Sequence, residues 1–205
     1  MEKAEKYRLL GRQLTALLEG ETDAIAKMAN VAAVLHETFG FWWTGFYRIV
    51  GDELVLGPFQ GPVACMHIPF GKGVCGTAWK LNETVVVPDV EQFPGHIACS
   101  SASRSEIVVP VHGADGTVTA VLDIDSDRLA TFDEEDKNWL ARIVTLLYSG
   151  LEEPAHKKGL RPAVLFCGGE RTRTAVQTPH QAAFYTLIRP LVFVPPLPDG
   201  GRRRP

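Results

Sequence analysis

The feature that most constrains the fold is a pair of apolar segments separated by a short polar turn. Residues 107–112 read IVVPVH, residues 117–125 read TVTAVLDID, and Ala114, Asp115 and Gly116 lie between them. Such a pattern is typical of a β-hairpin. Two strands joined by so short a turn must pair antiparallel, because a parallel pair needs a crossover of a dozen or more residues. The chain is therefore predicted to contain an antiparallel sheet.

Helices are predicted on both sides of this hairpin. Leucines recur at helical spacing from residue 5 to about residue 20, a second helix is predicted from an N-cap at Thr22 to Gly40, and a closing helix from an N-cap at Thr131. Further strands are predicted at 41–50, 54–61, 64–70 and 84–89, with a loop that enters a helix at 71–83. This order predicts one α+β domain over residues 5–152, with helices packed on a mostly antiparallel sheet.

Residues 153–205 differ in character from this domain. They contain scattered prolines and basic residues and have neither helical nor strand periodicity. The segment is therefore predicted to be an atypical, irregular and disordered tail, with a small folded appendage as the alternative. Cys167 lies in this tail and is assigned no role.

Charge and hydropathy exclude several classes of partner. The formal net charge of −3 argues against a nucleic-acid surface or an anionic membrane as the main partner. No segment approaches the ~18 uninterrupted apolar residues of a membrane span, and the N-terminal residues lack the apolar run of a signal peptide. We expect a cytoplasmic protein, and in that compartment disulfides are usually catalytic or redox-sensing.

Three of the four cysteines lie close together in sequence, in predicted loops: Cys65, Cys75 and Cys99. They allow three interpretations. Buried cysteines act as small hydrophobic residues, but segments rich in glycine, serine and histidine make burial less natural. A zinc site would combine the three thiols with His67 and His96, but the C-x₂-C pairs that zinc sites favour are absent. The favoured interpretation is redox chemistry, in which a thiolate is oxidised to a sulfenic acid and a neighbouring thiol resolves it.

Acidic residues at the end of the last predicted strand form a second candidate cluster. Strand alternation places Asp123 and Asp125 on one face, ~6–7 Å apart, and antiparallel pairing brings Glu106 to the same region. Trp43 and Tyr47 share a face of the first strand by the same parity. The simplest alternative is a solvated strand end beside core aromatics. An apolar pocket with carboxylates would instead suit a small molecule with an ammonium group and an apolar tail.

Several segments of the chain resemble the free methionine-(R)-sulfoxide reductases, which are compact GAF-domain enzymes. The similar segments are LVLGPFQGPVAC, IPFGKGVCGTAW, DVEQFPGHIACSSASRSEIVVPV, and VLDIDS followed by FDEED. The resemblance covers about residues 5–150, includes the spacing of the three cysteines, and does not extend into the tail. It implies a single GAF domain that reduces free methionine-(R)-sulfoxide to methionine. A non-catalytic GAF module that senses a small ligand or oxidation is the alternative.

The resemblance also implies a role for each cysteine. Cys99 matches the nucleophile, which would be left as a sulfenic acid after methionine is released. Cys65 matches the resolving thiol, which would form a disulfide with Cys99 that thioredoxin reduces. Cys75 matches a third motif cysteine, and whether it resolves or attacks is left open. No bound cofactor or metal is implied, and NADPH would enter only indirectly, through thioredoxin.

The resemblance also implies roles for the residues of the pocket. Trp43 and Tyr47 match aromatics that hold the methyl group and side chain of the substrate, and Asp123 and Asp125 match the acidic pair that binds its ammonium group. Glu106 matches a carboxylate near the sulfoxide oxygen, which in its protonated form donates a hydrogen bond. GAF domains often pair through their terminal helices, so a homodimer is compatible with the resemblance.

Overall fold

The computed structural model of the protein describes residues 2–97 and 101–148, all of which lie within one compact unit, Met1–His156. Cys99, Cys167 and the predicted tail at 153–205 lie outside the described residues. None of the helices in the described part has the length and apolar character that a membrane crossing requires.

A six-stranded antiparallel sheet forms the centre of the domain, with the spatial order β3-β2-β1-β6-β5-β4. In chain order the strands are β1 (Trp43–Val50), β2 (Glu53–Gln60), β3 (His67–Pro69), β4 (Val85–Val87), β5 (Ser105–His112) and β6 (Val118–Ser126). The predicted hairpin is the β5–β6 pair. The α+β fold with an antiparallel sheet is thereby confirmed.

The described residues form four α-helices, and these cover the two faces of the sheet unequally. They are α1 (Lys3–Leu17), α2 (Ala24–Phe39), α3 (Gly73–Leu81) and α4 (Glu134–Val144), with 3₁₀ turns at Val90–Gln92 and Thr145–Leu147. Buried residues of α1, α2 and α4 share one core cluster with Phe46, Ile107 and Leu122 of the sheet. Helix α3 packs on the opposite face, in a second cluster with Trp43 and Tyr47. The candidate site lies on this second face.

The predicted starts of two helices are wrong by one and two residues. The N-cap of α2 is Asp23 rather than Thr22, and the N-cap of α4 is Asp133 rather than Thr131. Asp133 accepts hydrogen bonds from backbone N–H groups of the first turn, and Asp136 accepts one from the Asp133 N–H, which completes a capping box. A carboxylate also interacts favourably with the helix dipole, so aspartate is the stronger cap at both ends.

Candidate active site

The register of the sheet brings the predicted acidic cluster together. Asp125 on β6 lies opposite Trp43 on β1 and opposite Glu106 on β5. Asp123 projects from the same face of β6 as Asp125, because side chains two residues apart on a strand point the same way. Together with Tyr47, these residues line one pocket. The structure therefore places all five predicted substrate-binding residues around a single cavity.

The aromatic wall of this pocket depends on a glycine that sequence reasoning missed. The ring of Trp43 lies over Gly45, where an added Cβ would be 2.4 Å from the indole and 2.5 Å from the Cβ of Phe59. Any side chain at this position would displace the indole. The ring also stacks on Phe59, with centroids 5.4 Å apart, and its Nε1–H donates to the Pro62 carbonyl at 3.0 Å. Trp43 is thereby fixed in one orientation at the pocket wall.

The other aromatic side chain connects β1 to the loop that carries Cys65. The hydroxyl of Tyr47 donates to the backbone carbonyl of Cys65 at 2.9 Å. The ring is almost fully buried, and its centroid lies 5.9 Å from that of Trp43. Because the hydrogen bond goes to the backbone, it positions the loop without engaging the sulfur. Tyr47 therefore both lines the cavity and holds the Cys65 segment beside it.

Burial dominates the electrostatics of the acidic cluster. Removal from water raises the pKa of Glu106 well above its usual range, and the charges of Asp123 and Asp125 raise it further. Burial and the charge of Asp125 raise the pKa of Asp123 in the same direction. Burial raises the pKa of Asp125 to about 6, although a hydrogen bond from Ser103 opposes the shift. The cluster therefore retains protons at a pH at which exposed carboxyl groups have lost them.

This arrangement predicts that Asp123→Asn stabilises the fold. One carboxylate oxygen of Asp123, Oδ1, is buried without a hydrogen-bond partner, so the charged form is costly. A pKa that is raised in the folded state makes stability fall as the pH rises above the unfolded-state value. The amide removes this loss, and we expect a gain of about 1–2 kcal/mol in the free energy of unfolding at pH 7.

The gain should be smaller at pH 4.5, where the buried carboxyl group of the wild type is already neutral. Thermal unfolding at both pH values measures the difference. Asp52→Asn, at an exposed position, is the matched control and should change neither value appreciably. A variant that unfolds at a lower temperature than the wild type at pH 7 would contradict the prediction.

Cys75 lies on a helix, whereas the sequence predicted a loop position at which burial is less natural. It occupies the first turns of α3 and is 3% exposed, so that part of the prediction is wrong. Its Sγ–H donates to Oε1 of Glu106 at 3.9 Å. Burial raises the pKa of the thiol well above its usual range, and the charges of Asp123 and Glu106 act in the same direction. Cys75 therefore lacks the lowered pKa that activates a nucleophilic cysteine.

Cys65 is disulfide-bonded and lies half-buried in the loop between β2 and β3. Cys75, the other cysteine among the described residues, is a free thiol. The bond therefore does not join Cys65 to Cys75. The predicted partner, Cys99, lies outside the described residues, so the Cys65–Cys99 pair stays a prediction.

Two further polar residues belong to the pocket, although neither of them was assigned to substrate binding from the sequence. Ser103 hydrogen-bonds Asp125, and Nε2 of His96 lies 3.9 Å from Oε2 of Glu106. Burial lowers the pKa of His96, which favours the neutral ring. By contrast, His67 is exposed on β3 and pairs with Glu53. His67 therefore lies apart from the pocket that Cys75 and His96 line, and the zinc combination weighed from the sequence is not assembled there.

Comparisons with known proteins agree with this geometry. A family model described as GAF domain matches residues 22–152. The Escherichia coli protein named free methionine-R-sulfoxide reductase is 45% identical over 159 residues, which are 77% of this chain and 96% of the relative. GAF domain-containing protein A of Dictyostelium discoideum is 55% identical over 146 residues, 71% of this chain and 92% of the relative.

A solved structure is also similar to most of this chain. The free methionine-R-sulfoxide reductase of Neisseria meningitidis, in complex with its substrate, is 54% identical in sequence and superposes with a TM-score of 0.70. The match covers 72% of this chain and 89% of that one. The family-model match ends at residue 152, before the predicted tail.

Proposed function

This chain belongs to the GAF-domain family of free methionine-R-sulfoxide reductases, and we propose on this basis that its pocket binds free methionine-(R)-sulfoxide and reduces it to methionine. The observation that carries the proposal is the joint placement of three carboxyl groups, two buried and one half-buried, and two aromatic rings in one cavity, beside the loop of Cys65. The carboxyl groups match a cationic ligand, and the rings match an apolar side chain.

The substrate would be held at both ends. Its ammonium group would lie against Asp123 and Asp125, and its methyl group and side chain against Trp43 and Tyr47. A methionine sulfoxide within a peptide has no ammonium group to offer these carboxylates. Because they are buried, leaving them without a cation would cost more than at an exposed site. This accounts for selection of the free amino acid.

Glu106 would act on the sulfoxide oxygen. A neutral sulfoxide is a poor electrophile until its oxygen is protonated or strongly hydrogen-bonded. The raised pKa of Glu106 keeps a proton available at neutral pH, as in other enzymes that use a buried carboxylic acid as a donor. The hydrogen bond would polarise the S=O bond and prepare the sulfur for attack.

Cysteine sulfurs are the only atoms of the protein that change oxidation state in the proposed reaction. The thiol of Cys99 and the sulfoxide give methionine and a Cys99 sulfenic acid. The oxygen thus moves to Cys99, the substrate sulfur gains two electrons and Cys99 loses two. The thiol of Cys65 then attacks the sulfenic acid, releases water and forms a disulfide. A dithiol of the thioredoxin class reduces this bond by thiol–disulfide exchange. The disulfide-bonded state of Cys65, which excludes Cys75, supports Cys65 as the resolving thiol.

The reductant, the location and the quaternary structure extend the same proposal. Thioredoxin would supply the electrons and no bound cofactor would take part. A cytoplasmic location would provide the reducing environment that the cycle needs. A homodimer through the terminal helices is compatible with Leu9 on α1, a large apolar side chain that remains exposed.

The function is tested by NADPH consumption in a thioredoxin-coupled assay. Free methionine-(R)-sulfoxide, its S epimer and an N-blocked peptide form are supplied separately to fully reduced protein. We expect turnover with the free R form alone. Equal rates with the blocked form would overturn the ammonium argument. The absence of turnover with all three, from folded protein, would favour a sensor that is oxidised once.

Ligand binding should weaken in acid because Asp125 must be ionised to attract an ammonium group. Its pKa of about 6 means that protonation removes the negative charge as the pH falls through that value. We expect the Kd of the product methionine to rise by roughly tenfold between pH 7 and pH 5. Calorimetric titration of the oxidised protein from pH 5 to 8 measures this effect without interference from thiol ionisation.

Asp125→Asn is the control for this titration. The variant should bind methionine more weakly at pH 7 and should lose the dependence on pH near 6, since its side chain does not titrate. A wild-type Kd that is constant from pH 5 to 8 would contradict the assignment of Asp125 to the ammonium group.

A further inference from the structure

The pocket contains a set of donor atoms that sulfoxide reduction does not require. The sulfur of Cys75 and one carboxylate oxygen each from Glu106 and Asp123 all lie within 4.8 Å of one another, and all three residues are buried. The proposed reduction uses the two carboxyl groups but gives the sulfur of Cys75 no step. A substrate ammonium group would compensate the carboxylates and leave the sulfur with no role beyond its hydrogen bond to Glu106.

The charge in this part of the pocket is not balanced by the protein. Among the described residues that line the cavity there is no lysine or arginine. The Oδ1 atom of Asp123, a residue 6% exposed, has no hydrogen-bond partner, and its side chain lines the cavity. A buried carboxylate without a counter-charge is costly, so a cation that enters this pocket gains more than it would at an exposed acidic cluster.

We propose that Cys75, Glu106 and Asp123 form a site for a thiophilic divalent cation, zinc or its congener cadmium, and that the cation inhibits the enzyme by excluding the substrate. The inhibition rests on the proposed function, whereas the metal binding does not. One thiolate and two carboxylates favour zinc over magnesium or calcium, because the hard cations select oxygen ligands alone.

The distances are compatible with this coordination. Tetrahedral zinc places a sulfur at about 2.3 Å and a carboxylate oxygen at about 2.0–2.2 Å, so the two ligand atoms lie roughly 3.5 Å apart. The observed separation of Cys75 Sγ and Glu106 Oε1 is 3.9 Å, which a small side-chain movement closes. Nε2 of His96 lies 3.9 Å from the other oxygen of Glu106 but outside the group of three ligand atoms, so its ring would have to move to become a fourth ligand. Binding releases to solvent the thiol proton of Cys75 and the proton that Glu106 holds; the metal takes their place, and no oxidation state changes.

Cadmium titration of the oxidised protein tests the site without measuring activity. The full chain carries Cys167→Ser and is oxidised until one free thiol per chain remains, so that Cys75 is the thiol available. Coordination by a thiolate gives a charge-transfer absorption in the ultraviolet, and we expect it to saturate at one cadmium per chain. Cys75→Ser should abolish the band. Asp123→Asn should raise the Kd by ~10-fold or more, since changes outside the ligand shell already cost 10–100-fold.

Glu19→Gln, an exposed carboxylate-to-amide change, is the matched control and should leave the titration unchanged. Thermal unfolding of each variant confirms that it is folded. A band that survives Cys75→Ser, an unchanged Kd in folded Asp123→Asn, or no band at all would overturn the site. Methionine should displace the cadmium. If cadmium binds as expected but methionine does not displace it, the metal site is confirmed. The same result would contradict both the exclusion of substrate by the metal and the proposed position of the substrate.

Discussion

Replacing Cys99 with serine should abolish the reduction of free methionine-(R)-sulfoxide, with kcat lowered by ~10⁴-fold or more, as removal of a nucleophile does in other enzymes. A serine hydroxyl is essentially un-ionised at neutral pH and cannot accept oxygen from the sulfoxide as a thiol does. Cys75 has a raised pKa and therefore offers no thiolate to replace Cys99 in the attack. Cys65 would be a free thiol in this variant, since its proposed disulfide partner is Cys99, and the proposal assigns Cys65 to resolution rather than to attack.

Variants of the other cysteines distinguish the attacking thiol from the resolving thiol in the thioredoxin-coupled assay. Cys65→Ser should release about one equivalent of methionine per chain and then stop, because the sulfenic acid lacks its resolving thiol. Cys75→Ser should retain multiple turnovers, since the disulfide of Cys65 does not involve Cys75. Cys167→Ser, outside the GAF domain, should match the wild type. Full activity in Cys99→Ser, or a stop after one equivalent in Cys75→Ser, would reassign the roles.

The acidic cluster could be predicted from the sequence because the period of a β-strand is fixed. Alternation assigned Asp123 and Asp125 to one face, and the short hairpin required Glu106 to return beside them. The observed register places Glu106 opposite Asp125, but it also depends on an irregularity between Val111 and His112 that shifts the pairing by one residue. The same parity separated Leu122 and Ile124, which lie in the other core cluster. Strand parity was therefore sufficient within one strand, whereas the pairing of β5 with β6 also required a register shift that the sequence pattern does not reveal.

The position of Cys75 could not be predicted because glycines surround it. Glycine is typical of loops, but here the glycines allow a helix to begin in a crowded place. Gly73 has a φ of 59°, and a Cβ added at Gly76 would lie 2.6 Å from the carbonyl oxygen of Pro69. The close packing of α3 on β3 therefore requires these residues. That contact is set by tertiary packing and leaves no periodic signal in the sequence.

The contacts of Ser103 and His96 with the acidic cluster were missed for a related reason. Both lie in irregular segments, where no repeat relates position in sequence to direction in space. Their placement beside Asp125 and Glu106 depends on the path of a loop. The sequence offered one signal. The predicted pocket contains more carboxyl groups than cationic residues, which implies that other polar side chains must hydrogen-bond these carboxyl groups.

Glu106→Gln should lower kcat by ~10²–10⁴-fold, the usual contribution of a positioned general acid. Glutamine keeps the shape of the side chain and can still donate a weak hydrogen bond, but it cannot transfer a proton to the sulfoxide oxygen. Burial and the neighbouring carboxylates raise the pKa of Glu106, so the wild type holds this proton at neutral pH. Single-turnover release of methionine by reduced protein measures the step without the contribution of thioredoxin.

The dependence on pH distinguishes proton donation from a role in binding. In the wild type, the rate should fall as the pH rises through the raised pKa of Glu106, because the deprotonated carboxylate cannot donate. Glu106→Gln should lack this decline while it retains any dependence that Cys99 imposes. Glu91→Gln, an exposed control, should follow the wild-type profile. If Glu106→Gln instead raises KM and leaves kcat unchanged, Glu106 binds the substrate without acting as an acid, and the activation of the sulfoxide must come from elsewhere in the pocket.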